Sequence, residues 1–306
     1  MPIQDVIKTM NTGVLTALGA FGIWGFLPLY WKALDQVPAL EIMTHRIIWS
    51  MLFVALLLLA RHNWQTLKAA LSSPGILFNA LTCALLLALN WLTYIWGVNH
   101  GYILETSLGY YINPLMNVLL GVVVLQERLR PIQWLAIALA AIGVIYMTFS
   151  YGQLPWISLT LATTFAIYSL LHKQTSLPAM DSLALETGML FIPALLYLSW
   201  LTGQGSHSFG QQTTEQDLLL IGSGIITAVP LLLFAFAAQR ISLTTLGILQ
   251  YLGPTIQLLI GVWIYHEDFV GARAIAFIMI WIALALYTME GLHHHRRKRK
   301  ACPAPT

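Results

Sequence analysis

The sequence predicts an all-α integral membrane protein with ten transmembrane helices, arranged as two inverted five-helix repeats. Three observations predict it. Hydrophobic residues make up 58% of the 306 positions and charged residues only 9%, with a mean hydropathy of +0.73. A soluble domain averages about 25% charged residues, so a soluble surface cannot be built from this chain. Apolar runs of about 20 residues recur along its length, the length a helix needs to cross a bilayer. Finally, one pattern occurs twice at a fixed offset.

Ten runs qualify: 11–31, 42–60, 76–98, 102–125, 132–150, 155–172, 181–202, 217–238, 241–265 and 271–290. The first is longer than the apolar core of a signal peptide and lacks a cleavage site, so it counts as span one. The gaps hold turn formers such as Ser72-Ser73-Pro74-Gly75, Tyr151-Gly152-Gln153 and Thr202-Gly203-Gln204-Gly205. Residues 61–72, with Arg61, Trp64 and Lys68, predict a short helix on the membrane surface. Aromatic residues crowd many span ends, as an interfacial belt requires.

Charge sets the orientation. An even span count puts both termini on one face. Twelve Lys and Arg then share that face: Lys8, Arg61, Lys68, Arg128, Arg130, Lys173, Arg240 and the five of the Arg296–Lys300 run. Lys32 and Arg273 lie opposite, and Arg46 falls within span two. This bias places both termini in the cytoplasm. The basic tail reads as an anchor at anionic lipid rather than a nucleic-acid site. His293-His294-His295 extends that solvated tail, although such a run can bind metal. The two cysteines, Cys83 and Cys302, support neither a disulfide framework nor a four-ligand zinc site. No cofactor and no metal is expected.

The repeat is specific. Pro114 is followed by Gly121 and Glu127, and Pro254 by Gly261 and Glu267, with identical spacings. The offset of 140 also pairs Tyr111 with Tyr251 and Asn117 with Gln257, while Lys32 and Lys173 pair at 141. The expected units are residues 11–150 and 155–290, followed by a cytoplasmic tail at 291–306. Five spans is odd, so the second unit is inverted relative to the first. Such repeats supply two states of similar energy, one open to each side, with a site near the midplane.

The paired Pro…Gly…Glu segments closing spans four and nine resemble the EamA modules of the drug/metabolite transporter superfamily. Gly22-Ile-Trp-Gly-Phe-Leu-Pro-Leu-Tyr-Trp-Lys32, followed by Glu41-Ile-Met-Thr-His-Arg46, resembles the RarD branch, labelled chloramphenicol-sensitive or chloramphenicol-resistance permeases. Asn90-Trp91 and Leu108-Gly109-Tyr110-Tyr111-Ile112-Asn113-Pro114 carry the same resemblance. It covers about residues 8 to 290. It implies an inner-membrane permease for small molecules and supplies no substrate.

Ionisable groups inside a bilayer cost at least ~2.5 kcal/mol each at the centre, which makes them functional candidates. Arg46 leads. It reads either as a fork for an anionic or carbonyl group on a substrate, or as a fixed ion pair with Glu41, Glu105 or Glu186. His45 and Glu186 correspond at offset 141, and such a pair could alternate protons during transport. The plainer reading of Glu186 is a span-end carboxylate facing water.

In span four, Glu105, Gly109, Asn113 and Asn117 recur every four residues on one stripe. Gly109 admits close approach, and Pro114 frees a carbonyl near Tyr110. Gln250, Tyr251, Gly253, Pro254 and Gln257 repeat the theme in span nine. These features predict a polar cavity between spans four and nine, with Gly109, Pro114, Gly253 and Pro254 as hinges. The alternative is interhelical hydrogen bonding with kinks. Asn90, Trp91, Tyr94, Trp24 and Tyr30 could add contacts. Glu127 and Glu267 read as helix caps, gates, or partners of Arg128 and Arg273.

No Walker A loop, HExxH, GxSxG or kinase motif is present. The expected function is therefore a secondary transporter of small organic metabolites or drug-like solutes, coupled to protons or exchange, and not an enzyme. A channel, a lipid scramblase and a membrane-embedded enzyme are the alternatives. Oligomeric state, monomer or homodimer, is left open.

Overall fold

The computed structural model describes residues 3–61, 64–100, 102–152, 154–264, 266 and 271–301. Glu267 and Cys302 lie outside them. The described residues are helical, turn or irregular, with no strand. This is the form a chain surrounded by hydrocarbon must take, because an α-helix satisfies its backbone within one segment.

Twelve helices follow in order: α1 (Ile3–Lys32), α2 (Ala39–Arg61), α3 (Gln65–Leu71), α4 (Pro74–Asn99), α5 (Ile103–Val123), α6 (Pro131–Tyr151), α7 (Trp156–Gln174), α8 (Ala179–Gly203), α9 (Thr214–Ala238), α10 (Leu243–Gln250), α11 (Leu252–Trp263) and α12 (Gly271–Ala301). The short helix expected over 61–72 is α3. The expected tail does not form a separate segment up to Ala301, since α12 continues through it.

Local chemistry sets many boundaries. Pro131 begins α6, where its missing N–H is no loss, and Gly152 ends it with φ of 77°. Thr213 and Ser242 cap α9 and α10 through their hydroxyls.

Among the described residues, eight segments are long and apolar enough to cross a membrane: 12–32, 39–61, 74–97, 131–150, 179–203, 214–238, 243–263 and 274–291. The segment 243–263 joins α10 and α11 across a turn at Tyr251. The two remaining expected spans, 102–125 and 155–172, form α5 and α7 but fall outside the eight. Their polar residues explain this. Glu105, Thr106, Asn113 and Asn117 of α5 are buried, as are Ser158, Thr164, Ser169 and His172 of α7. α5 and α7 pack on each other, so these groups face protein rather than lipid.

The outer face is apolar. Leu56, Phe78, Phe149 and Leu196 are each more than 60% exposed. Water would make such a surface an aggregation site, whereas acyl chains do not. Inside, close approach depends on small residues. A Cβ on Gly224 of α9 would overlap the backbone of Trp49 and Ser50 on α2. A Cβ on Gly247 of α10 would overlap the Pro114 carbonyl of α5.

Candidate functional site

The bundle encloses a cavity of about 260 Å³. Its wall draws on the C-terminal parts of α1 and α4, the N-terminal parts of α2, α5 and α7, the middle of α9, the end of α10 and the N-terminal part of α11. Of the residues singled out in the sequence, Arg46, Asn90, Tyr110, Asn113, Gln250 and Gln257 line it. So do Gly109, Gly253 and Pro254, together with Trp24, Trp91 and Tyr94.

Arg46 is the sole charged residue in this wall. Its guanidinium lies 4.8 Å from the Trp31 ring centre and 4.6 Å from that of Trp91, and its Nε donates to Thr227 Oγ1 at 3.0 Å. The expected ion pair with Glu41, Glu105 or Glu186 is not formed, because each carboxylate is committed elsewhere. Glu41 accepts from the Ser208 backbone N–H at 2.6 Å and hydroxyl at 2.9 Å. Glu105 accepts from the Ile157 N–H at 3.1 Å, capping α7. Glu186 lies 3.0 Å from His172. Arg46 therefore presents an uncompensated positive charge held by two indole faces, which attract cations.

The amides are partly used. Asn90 Nδ2 donates to the Leu161 carbonyl and to Thr164 Oγ1, at 2.8 and 2.9 Å. Gln257 Nε2 donates to the Trp24 carbonyl at 3.2 Å, and Asn113 Nδ2 to that of Ala162 at 3.3 Å. These bonds fix the amides, and Asn113 Oδ1 in turn accepts from Asn117 Nδ2 at 3.2 Å.

Five expected site residues lie outside the wall. His45, buried, accepts from Trp49 Nε1 at 3.2 Å and stands 3.9 Å from Glu41. Glu105 caps α7, as above. Asn117 Nδ2 donates to Gln250 Oε1 at 2.8 Å, joining α5 to α10. The Tyr251 hydroxyl donates to the Tyr111 carbonyl at 3.2 Å. Glu186, expected to correspond with His45 or to face water, is buried and meets His172 and Tyr168 instead. Pro114 is also absent from the wall; its carbonyl lies under Gly247. Glu127 does not pair with Arg128. It accepts from the Leu243 and Thr244 N–H groups, at 2.6 and 2.9 Å, at the start of α10.

Phe21, Trp24 and Phe165 floor the cavity and pack on Phe234 behind them, with paired ring centres 5.2 to 6.1 Å apart. On the other side of Phe165 and Phe234 stands Tyr168. At that end Lys173 donates to the Ile241 carbonyl and Gln239 Nε2 to that of Leu177, tying the segments together. Thr227, Phe165 and Trp31 were not anticipated in the wall. Thr227 sits in an apolar run, and only its contact with Arg46 marks it.

Long apolar helices around a cavity that holds one half-buried cation and several amides define a multi-pass membrane transporter. The chain belongs to the EamA-like transporter family, whose model matches residues 11–149. It is 42% identical to protein RarD of Escherichia coli over 96% of this chain and 99% of that one. It is 45% identical to the uncharacterised transporter YojE of Bacillus subtilis, over 94% and 97%. It is 32% identical to the chloramphenicol-sensitive protein RarD of Pseudomonas aeruginosa, over 92% and 94%. The fold is also that of a protein of known crystal structure, at a TM-score of 0.69 and 20% identity, over 90% of this chain and 97% of that one.

Proposed function

We propose that the chain is a secondary transporter that moves a small amphipathic organic solute by alternating access. The observation that carries this reading is Arg46, a lone cation between two indoles in a cavity otherwise walled by aromatic, aliphatic and amide groups. A flat apolar body bearing an anionic or carbonyl group complements that wall. Protons, or exchange against a second solute, supply the driving force.

The architecture proposed is ten spans in two inverted repeats, 11–150 and 155–290, with tail 291–306 and both termini in the cytoplasm of an inner-membrane protein. Helix pairing supports it. Counting α10 and α11 as one span, exchange of each span with its counterpart turns α1–α9 into α4–α7. It likewise turns α2–α9 into α4–α8, and α5–α7 into α1–α11. All six pairs are in contact. The self-matched pairs α2–α8, α5–α10 and α6–α12 are in contact too.

The test is reconstitution in liposomes with a panel of small metabolites under an imposed pH gradient. Saturable flux with counterflow supports the transporter. Unsaturable flux indicates the channel or scramblase reading. Folded protein that moves none of the panel overturns the proposal.

A further inference from the structure

Beyond the cavity floor, three metal-ligating side chains from three helices converge. Cys83 of α4, His172 of α7 and Glu186 of α8 each offer one donor atom, and these donors lie within 4.8 Å of one another. Each residue is only 1% exposed. None lines the cavity, so the cluster is independent of substrate binding there.

The geometry between His172 and Glu186 is informative. Nε2 stands 3.0 Å from Oε1, yet neither ring nitrogen makes an aligned hydrogen bond. A buried imidazole without aligned partners is destabilising. Without an aligned bond between them, both atoms are available to a third partner. Tetrahedral zinc bonds of about 2.0–2.3 Å place donor atoms roughly 3.3–3.8 Å apart, a spacing that small side-chain rotations reach from the present one. The other carboxylate oxygen, Oε2, accepts from the Tyr168 hydroxyl at 3.1 Å. A ligand carboxylate is held in this way in an orienting outer shell. The Cys83 thiol donates a long hydrogen bond, 3.8 Å, to Asn79 Oδ1 one turn earlier on α4.

We propose that Cys83, His172 and Glu186 form a binding site for a borderline-soft divalent ion, Zn²⁺ above all. Thiolate and imidazole favour such ions over Mg²⁺ or Ca²⁺, which take oxygen donors. Charge balance points the same way. One thiolate and one carboxylate neutralise a divalent ion, which limits the cost of burying it. Three protein ligands leave a fourth position for water, and the ion would join α4, α7 and α8.

The test uses the full chain, purified without a polyhistidine tag, carrying His293→Ala, His294→Ala, His295→Ala and Cys302→Ser. These changes remove the ligands of the tail and leave Cys83 as the one cysteine. Zn²⁺ binding is measured by competition with a chromogenic chelator, and the bound ion by X-ray absorption. One ion per chain is expected, with a single sulfur at about 2.3 Å and nitrogen or oxygen donors completing the shell. Cys83→Ser should remove the sulfur and weaken binding at least ~10-fold, and Tyr168→Phe should weaken it about 10- to 100-fold while the sulfur remains. Absence of a stoichiometric ion overturns the proposal. So does a shell of nitrogen and oxygen alone, or an affinity unchanged by Cys83→Ser. These readouts involve no transport and stand or fall apart from the transporter reading.

Discussion

Arg46 carries the substrate argument at the scale of single residues. Its charge is held by two indole faces and one hydroxyl, none of which can neutralise it. Lysine would keep the charge but lose the planar fork and the stacking on both rings. Arg46→Lys should therefore lower counterflow of anionic substrates about 10-fold or more with folding intact, the loss of roughly 1.4 kcal/mol of interaction. Arg46→Met should remove the preference of anionic over neutral analogues. Equal counterflow of both classes by wild-type protein would sink the assigned role. The membrane cost of a charge made Arg46 visible in the sequence, but its surroundings were not visible there. Trp31 and Trp91 come from different spans, and nothing in their spacing joins them to residue 46. The stripe Glu105, Gly109, Asn113 and Asn117 shows the same limit. Period four placed these residues on one face, but that face meets different neighbours along its length. Gly109 and Asn113 reach the cavity, while Glu105 turns to α7 and Asn117 to Gln250.

Helix against helix, backbone approach decides. Gly224 meets the Trp49 backbone across the α2–α9 contact, whereas a Cβ on Gly22 of α1 would meet nothing within 4 Å. Gly224→Ala should destabilise the fold by about 1–3 kcal/mol through forced backbone movement. Gly22→Ala should be neutral or stabilising by roughly 0.5–1 kcal/mol, the ordinary helical preference for alanine. Reversible unfolding in mixed micelles measures both, and equal effects would show that the close approach does not matter. A second element-scale contact is Glu127, whose carboxylate holds the first two N–H groups of α10. Glu127→Ala should cost about 0.5–2 kcal/mol in the same assay, the usual range for a lost cap. Helix identity was legible from apolar length almost everywhere. The break between α10 and α11 was not. Pro254 denies a hydrogen bond to the Gln250 carbonyl, and the helix breaks beside it at Tyr251. Pro114, its counterpart in the repeat, leaves α5 continuous from Ile103 to Val123. One residue pattern thus gives two backbone outcomes, because α5 is covered by α7 and α10.

Across the whole molecule, the exchange symmetry of the helix pairs makes a topological demand. If α1, α2, α4, α5 and α6 form one unit of five spans, each later connection lies on the face opposite its counterpart. Gln36, between α1 and α2, and Ser176, between α7 and α8, are counterparts by offset 140 and should face opposite sides. Ser72, between α3 and α4, should share the side of Ser176, and Gln211, between α8 and α9, that of Gln36. All four side chains are exposed, so a cysteine at any of them is accessible. In a Cys83→Ser, Cys302→Ser background, a membrane-impermeant maleimide should label Gln36→Cys and Gln211→Cys in intact cells. Ser72→Cys and Ser176→Cys should react only after permeabilisation, since Lys and Arg gather on their side. A nine-span protein in which only one of α5 and α7 crosses would still separate Gln36 from Ser72, but would move Ser176 and Gln211 to the opposite faces. An eight-span protein in which neither crosses would leave Ser176 and Gln211 in place and put the residues between α5 and α6 on the wrong side. Glu127→Cys would disturb the cap of α10, so the neighbouring Gln126→Cys serves as the probe of that connection. Its protection in intact cells, together with the labelling of Gln211→Cys, requires α5 and α7 both to cross. Ready labelling of Gln126→Cys from outside would overturn the ten-span, inverted-repeat architecture.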